Sequence, residues 1–343
     1  MEYGIIRKDD LNKLLAFAGK GAVVYAPVET ERGVEFRRFD GETEISFQCG
    51  NAKLSPKGLF FPQKETLITF SGDILSGITL PEERSIIFGA RPCDALALKF
   101  LDKIFSDTAG RFPDPYYLKR REKALVITLS CNEPVPTCFC TSVRGDPAGK
   151  EGSDIFACEL ADLILLEGIT EKGKAFLTAA SSLLGEPVKD HFTRRDENIK
   201  RAEAKVSTLN INGLKEKLDS RFEDAAWEPV TNNCLGCGAC TYLCPTCHCF
   251  DITDETNGRG EGIRIRTWDS CQYPLFTLHA SGHNPRVNKK QRMRQRIMHK
   301  FSYTVENSQA IFCVGCGRCI RHCPVNLDIR EILTTFHTIV TPE

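Results

Sequence analysis

No apolar run in this 343-residue chain approaches the roughly 18 residues needed to cross a bilayer. Its opening, MEYGIIRKDDLNKLLAF, has none of the basic start, apolar stretch and cleavage site of a secretory signal. The expectation is therefore a cytoplasmic protein. Net charge is also missing: 45 Lys and Arg balance 45 Asp and Glu, which argues against a nucleic-acid binder. The segment GAVVYAP and the glycine-containing loops do not spell G-x-G-x-x-G after a strand, and no GxxxxGK[ST] occurs. Neither flavin nor NAD is expected in this chain. No H-E-x-x-H occurs, and His191 and Asp196 in HFTRRDE have no Ser or Cys nucleophile to pair with, so that stretch reads as a surface helix.

What the chain has is cysteine, 17 in all. In a reducing compartment metal or catalysis explains such a count better than disulfides do. The distribution is uneven, with 11 of the 17 lying in residues 231–343. That region contains an internal repeat: CLGCGACTYLCP (234–245) and CVGCGRCIRHCP (313–324) each spell C-x2-C-x2-C-x3-C-P. In two-cluster ferredoxins the fourth Cys of each run ligates the other run's cluster. One [4Fe-4S] cluster is thus expected on Cys234, Cys237, Cys240 and Cys323, and a second on Cys313, Cys316, Cys319 and Cys244. Gly236, Gly238, Gly315 and Gly317 permit the tight turns this wrapping needs. Paired zinc sites are the rival reading, although zinc modules usually show CxxC pairs rather than triplets with a CP tail.

Residues 1–230 read as an α/β domain. VVYAP (23–27), SIIFG (85–89) and ALVITL (124–129) have strand character, and DALALKFLDKIF (94–105) has helical spacing, so a βαβ unit with parallel strands is expected. SDIFACELADLILL reads as a strand or hairpin, and KAFLTAASSLL and LKEKLDSRFEDAAW as helices. Cys93 and Cys131 then follow neighbouring parallel strands at the carboxyl edge of one sheet, where open α/β sheets place ligands. CNEPVPTCFC adds Cys138 and Cys140, completing four thiols, the number one cubane takes. Zinc, or unrelated buried thiols, are the alternatives. Residues 231–343 are expected to form a largely helical domain with the two-[4Fe-4S] ferredoxin-type fold.

Three further cysteines, Cys247, Cys249 and Cys271, are surplus to the paired clusters. They read either as buried thiols packed beside the clusters or as an extra metal site completed by His248, Asp269, His279, His283 or a partner. Cys49 and Cys158 read as core residues. From Ser270 to Val305 there is no acidic residue, and RVNKKQRMRQRIMHK (286–300) is rich in cations. Met293, Ile297, Met298 and Phe301 are spaced as an apolar helical stripe, and the cations read either as a docking surface for an acidic carrier such as ferredoxin or as a solvated face.

The double CP motif, CPTCHC (244–249), RTWDSCQ (266–272) and GARPCDALALKFLD (89–102) together resemble the iron–sulfur subunit of anaerobic sulfite reductase, the beta subunit of sulfhydrogenases, and the flavin-oxidoreductase subunits found beside heterodisulfide reductase. The resemblance covers nearly the whole chain and supports the N-terminal set Cys93, Cys131, Cys138 and Cys140. It implies an iron–sulfur subunit with three [4Fe-4S] clusters. Such a subunit passes electrons between a separate flavin subunit, which binds NAD(P)H, and a catalytic hydrogenase, sulfite reductase or heterodisulfide reductase subunit, in anaerobic metabolism. The alternative is a catalytic subunit that works on a sulfur substrate at the N-terminal cluster or the extra thiols.

Overall fold

The computed structural model describes residues 1–47, 50–72, 74–76, 79–106 and 112–338. The described chain divides into two compact units that interleave in sequence. One comprises Met1–Lys57, Glu82–Thr208 and Val314–Gly317; the other comprises Gly58–Pro81, Leu209–Cys313 and Arg318–Glu343. The sequence reading placed a single division near residue 230.

The first unit is built on a seven-stranded mixed sheet. Its centre is parallel: Val23–Thr30 pairs with Ser85–Ala90, that strand with Ala124–Leu129, and that in turn with Ile155–Leu160. These strands read as apolar runs because a parallel sheet is covered on both faces. All six residues of Ala124–Leu129 are buried. The expected βαβ unit is present, with the helix Pro92–Phe105 between two of these strands and Pro92 in its first turn, where a missing N–H costs nothing. The stretch 155–168 is the hairpin of Ile155–Leu160 with Leu163–Gly168. Tyr3–Arg7 and Gly33–Arg38, which carry weaker alternation, extend the two edges. The helix Leu11–Ala18 buries Leu11, Leu14, Leu15 and Ala18 against the sheet, in a core shared with Phe88, Ile127 and Ile164.

The second unit corrects the expectation of a largely helical domain. Phe250–Thr256 and Glu261–Trp268 form an antiparallel hairpin, and the latter strand pairs with Lys64–Ser71 in a four-stranded sheet. The reason this sheet escaped the sequence reading is physical. Every residue of Phe250–Thr256 is exposed, and only Phe250 and Ile252 alternate with polar residues, too short a run to mark the strand. A buried ion pair joins two strands of this sheet: Arg266 bonds Glu65, with both side chains about 5% exposed or less. The Arg266 guanidinium also lies over the rings of Phe61 (5.0 Å) and Phe250 (5.6 Å). Elsewhere Trp227 stacks on Phe336 at 4.0 Å between ring centres, fastening the helix Ile329–Thr338 to the helix Trp227–Thr231.

The Glu65–Arg266 pair generates a prediction. Glu65→Ala takes the carboxylate away from a buried guanidinium, which should lower stability by about 3–5 kcal/mol. A Glu65→Leu/Arg266→Met double variant removes both charges and should recover most of that loss. Anaerobic urea unfolding of the three proteins checks this. Equal loss in the single and double variants would show that packing, and not the orphaned charge, sets the cost.

Candidate iron–sulfur sites

The first cysteine run is shaped by its glycines. Gly236 and Gly238 hold φ of +68° and +76°, a region that favours residues without a Cβ. A Cβ on Gly238 would also meet the Tyr273 ring at 2.8 Å. The turn aims the Gly236 N–H at Cys234 Sγ, 3.4 Å away. Cys234, Cys237 and Cys240 line one cavity, and Cys323 from the second run lines the same cavity, with Cys319, Pro324 and Arg296. Leu327 N–H donates to Cys323 Sγ at 3.3 Å. Five thiols line this apolar hollow, the four expected for one cubane and Cys319, with amide donors on two of the sulfurs. Cys240 is pushed up to about 11 by burial, so its thiolate needs a metal or a cation to hold it.

The second run repeats the device, with Gly315 and Gly317 at φ of +60° and +70°. Here the glycines also admit another segment of the first unit. A Cβ on Gly315 would meet Cys140 N at 2.5 Å, and one on Gly317 would meet Thr137 Oγ1 at 2.3 Å. Phe139 N–H donates to Gly315 O at 2.8 Å. Cys316 O accepts from Asn51 (2.9 Å) and from the Cys138 thiol (3.7 Å). The Val314–Gly317 turn therefore lies directly against the CNEPVPTCFC loop.

Three of the expected N-terminal thiols, Cys131, Cys138 and Cys140, lie near one another in that loop. Cys93 occupies the first turn of Pro92–Phe105 and packs with Leu96, Ala97, Val314 and Cys316. Cys131 follows the strand Ala124–Leu129, its thiol 3.7 Å from Gly50 O. Burial pushes Cys140 up to about 12, and neighbouring Cys138 and Cys131 push in the same direction. Three thiols close enough to oppose one another's ionisation suit a metal that takes them all as thiolates. Arg91 of the RPCD stretch braces the loop, donating to Ser130 O and Phe47 O. Cys158 is fully buried in the sheet core, and Cys49 lies outside the described residues.

The basic insert is the main departure from the sequence reading. Arg292, Arg294, Arg296 and Lys300 are all buried, between 3% and 8% exposed. These side chains form neither a docking surface nor a solvated face. Arg292 is spent on Arg286 O and Val287 O, and Arg294 on Phe222 O and Glu223. Arg296 donates to Cys247 Sγ (3.3 Å) and Cys240 O (2.8 Å). Lys300 donates to Cys244 Sγ (3.4 Å), Thr246 Oγ1 and Phe312 O (both 2.8 Å). Lys300 sits in a π-helical turn, His299–Tyr303, that continues the helix Lys289–Met298. Such turns re-aim side chains and recur at functional sites. Burial works against the charge on Lys300, yet Cys244 and Cys247 hold its ammonium above its ordinary range. The stripe Met293, Ile297, Met298 and Phe301 is buried as expected. A helical wheel assigns cations to solvent. The one signal against that assignment is the absence of any acidic residue to pair them from Ser270 to Val305.

RTWDSCQ has a structural part at nearly every position. Arg266 pairs Glu65, Trp268 stacks on Phe61 and donates its indole N–H to Phe61 O, and Ser270 Oγ meets Thr241 Oγ1 at 2.8 Å. Gln272 donates to Cys271 Sγ (3.4 Å) and to Arg292 O (3.0 Å). Cys271 joins Cys247 and Cys249 at a small cavity lined also by His248, His299, Arg296 and Lys300. The cavity takes His299, which the sequence did not suggest, whereas His279 and His283 are exposed and pair with each other.

A family model described as a 4Fe-4S dicluster domain matches residues 233–327. The chain is 32% identical over 311 residues to sulfhydrogenase 2 subunit beta of Pyrococcus furiosus, an alignment spanning 90% of this chain and 91% of that one. Among the described residues no helix is long and apolar enough to cross a membrane. The chain is an iron–sulfur electron-transfer protein, and it belongs to the sulfhydrogenase beta-subunit family.

Proposed function

We propose that the chain is the relay subunit of a cytoplasmic, multi-subunit oxidoreductase of anaerobic metabolism. It takes single electrons from a separate flavin subunit, which binds NAD(P)H, and delivers them to a catalytic subunit. A hydrogenase is favoured in that catalytic place by the name of the Pyrococcus relative, with sulfite reductase and heterodisulfide reductase subunits as the other occupants. Three cubanes carry the electrons: one on Cys234, Cys237, Cys240 and Cys323; one on Cys313, Cys316, Cys319 and Cys244; and one on Cys93, Cys131, Cys138 and Cys140. When bound, such clusters supply one-electron chemistry, and a flavin elsewhere splits a hydride into two electrons.

The observation that carries this reading is the cavity where Cys323 stands with Cys234, Cys237 and Cys240. The chain's own residues do the rest. Glycine turns bring amides to sulfur, the Pro324 turn carries the chain away, and Arg296 and Lys300 set positive charge beside the thiolates. The contact of the Val314–Gly317 turn with the CNEPVPTCFC loop supports a relay that runs from the N-terminal thiols to the second run.

This assignment can be tested in two ways. Cys323→Ser should damage the cluster of the first run, and Cys244→Ser the cluster of the second. Electron paramagnetic resonance of the two reduced variants separates the signals; loss of each run's own cluster instead would overturn crossed ligation. The isolated chain should be reduced by dithionite, contain no flavin, and fail to oxidise NAD(P)H until the flavin subunit is supplied. NAD(P)H oxidation by the chain alone would contradict the relay reading.

A further inference from the structure

Among the described cysteines Cys237 alone is exposed. It belongs to the first run, and exposed Leu235 lines the same cavity beside it. The surface here is apolar: Leu235, Leu275, Leu278 and Val287 are between 47% and 72% exposed. The last three sit on the loop that joins RTWDSCQ to the helix Lys289–Met298, and several contacts tie this loop to the cysteine run. The Tyr273 ring packs on Gly238, and a Cβ on Gly236 would stand 3.3 Å from Gln272 O and 3.9 Å from the Arg292 guanidinium. That guanidinium donates to the carbonyls of Arg286 and Val287.

The loop is held in shape by its own polar groups. The Asn284 side chain donates to Pro274 O at 2.7 Å and accepts from Thr277 Oγ1 at 2.8 Å and from the Arg286 N–H at 3.0 Å, closing the two ends on each other. Leu278 N–H donates to Leu275 O at 3.0 Å, and His279 N–H to His283 O at 2.9 Å. An ordered loop that holds three apolar side chains out in water gains nothing for the folded chain by doing so. Exposed apolar surface with a polar rim marks an interaction site. The rim here is cationic. No acidic residue occurs from Ser270 to Val305. Lys290 pairs Glu228, whereas exposed Lys289 and half-buried Arg286 have no ion pair among the described residues.

We infer that Leu235, Leu275, Leu278 and Val287, around Cys237, form the docking face for an acidic one-electron carrier protein, with Arg286 and Lys289 as its steering charges. The inference rests on the relay reading and names where one end of that relay meets a partner. Electron transfer between proteins falls off steeply with distance, so the site that serves a partner has to lie at the surface, as Cys237 does. An apolar centre expels water from between the two proteins, and a cationic rim steers a partner whose own rim is carboxylate. A patch of four apolar side chains suits a transient encounter, because permanent subunit interfaces are broader and more hydrophobic. Each encounter moves one electron and no atom: the carrier is oxidised as the first-run site is reduced, or the reverse.

The test uses anaerobically prepared full-length chain, with an acidic two-cluster ferredoxin as the probe. Calorimetric titration reads binding, and stopped-flow absorbance reads electron transfer from the reduced ferredoxin. Both should weaken as salt rises. Leu275→Asp/Val287→Asp should raise Kd and lower the rate by about tenfold or more. Lys289→Glu, which suits the first turn of its helix, should lower the rate and flatten its salt dependence. Iron content and reduction by dithionite should stay at parent values in both, and Ile74→Asp, at an exposed position on the strand Ile74–Ser76, should change nothing. Unchanged binding and rate in the loop variants, an equal loss in Ile74→Asp, or no binding by the parent would overturn the docking face and leave the relay reading standing. A parent that carries no iron or resists dithionite would overturn both. A parent dimer that the double variant splits in sedimentation, or loss of a tightly bound flavin subunit from that variant, would give the face to another occupant and overturn the carrier.

Discussion

The second unit depends on the burial of two cations against cysteine sulfur. Arg296, on the helix Lys289–Met298, and Lys300, on the π turn that continues it, turn into the protein interior, and neither finds a carboxylate among the described residues. Moving an ammonium or guanidinium out of water costs several kcal/mol even after relaxation. The carbonyls and hydroxyl they bond offset part of that cost but bring no opposite charge to balance the rest. Thiolates do, and cysteine is held as thiolate at low cost only when a metal takes its charge. The helix, its π turn and the cysteine runs are therefore one electrostatic arrangement. The helix Lys289–Met298 is better described as the floor of the cluster sites than as an insert between two repeats.

The same logic orders the rest of the unit. The hairpin carrying RTWDSCQ is pinned by the Glu65–Arg266 pair and by Trp268 on Phe61, and its open end presents Cys271 and Gln272. Gln272 in turn touches the backbone of Arg292 in the cation helix. In the first unit the parallel sheet plays the equivalent part, setting Cys93 and Cys131 at its carboxyl edge and leaving the CNEPVPTCFC loop to meet the Val314–Gly317 turn. Chemistry-bearing residues on loops, held by a rigid scaffold, is the general pattern of functional sites.

Much of this was legible in the sequence where the governing interaction is local. Cluster spacing is a short-range code, and it identified the two runs and the need for glycine at 236, 238, 315 and 317. Apolar runs marked the parallel strands because both faces of that sheet are covered. The rest was hidden for reasons that can be named. Phe250–Thr256 is exposed at every position and alternates only at Phe250 and Ile252, and the Ile263 and Ile265 alternation of its partner strand is equally short, so neither marked the sheet. The inward turn of Arg292, Arg294, Arg296 and Lys300 contradicts the rule that cations face water: cysteine sulfur replaces solvent for Arg296 and Lys300, and backbone carbonyls and Glu223 replace it for Arg292 and Arg294. The partner of Cys271, the role of Gln272 and the place of His299 are products of tertiary contact, with no sequence spacing to announce them.

The most direct measurement of the central claim is a spectroelectrochemical titration of the clusters in the parent and in Lys300→Met, which keeps a long side chain and removes the buried charge. If the ammonium offsets thiolate charge, its loss makes adding an electron harder. The midpoint potential of the cluster proposed on Cys244 should then move to lower values, with iron content preserved. An unchanged potential in a variant with full iron content would contradict the account, because the buried cation would then be doing no electrostatic work at the cluster it touches.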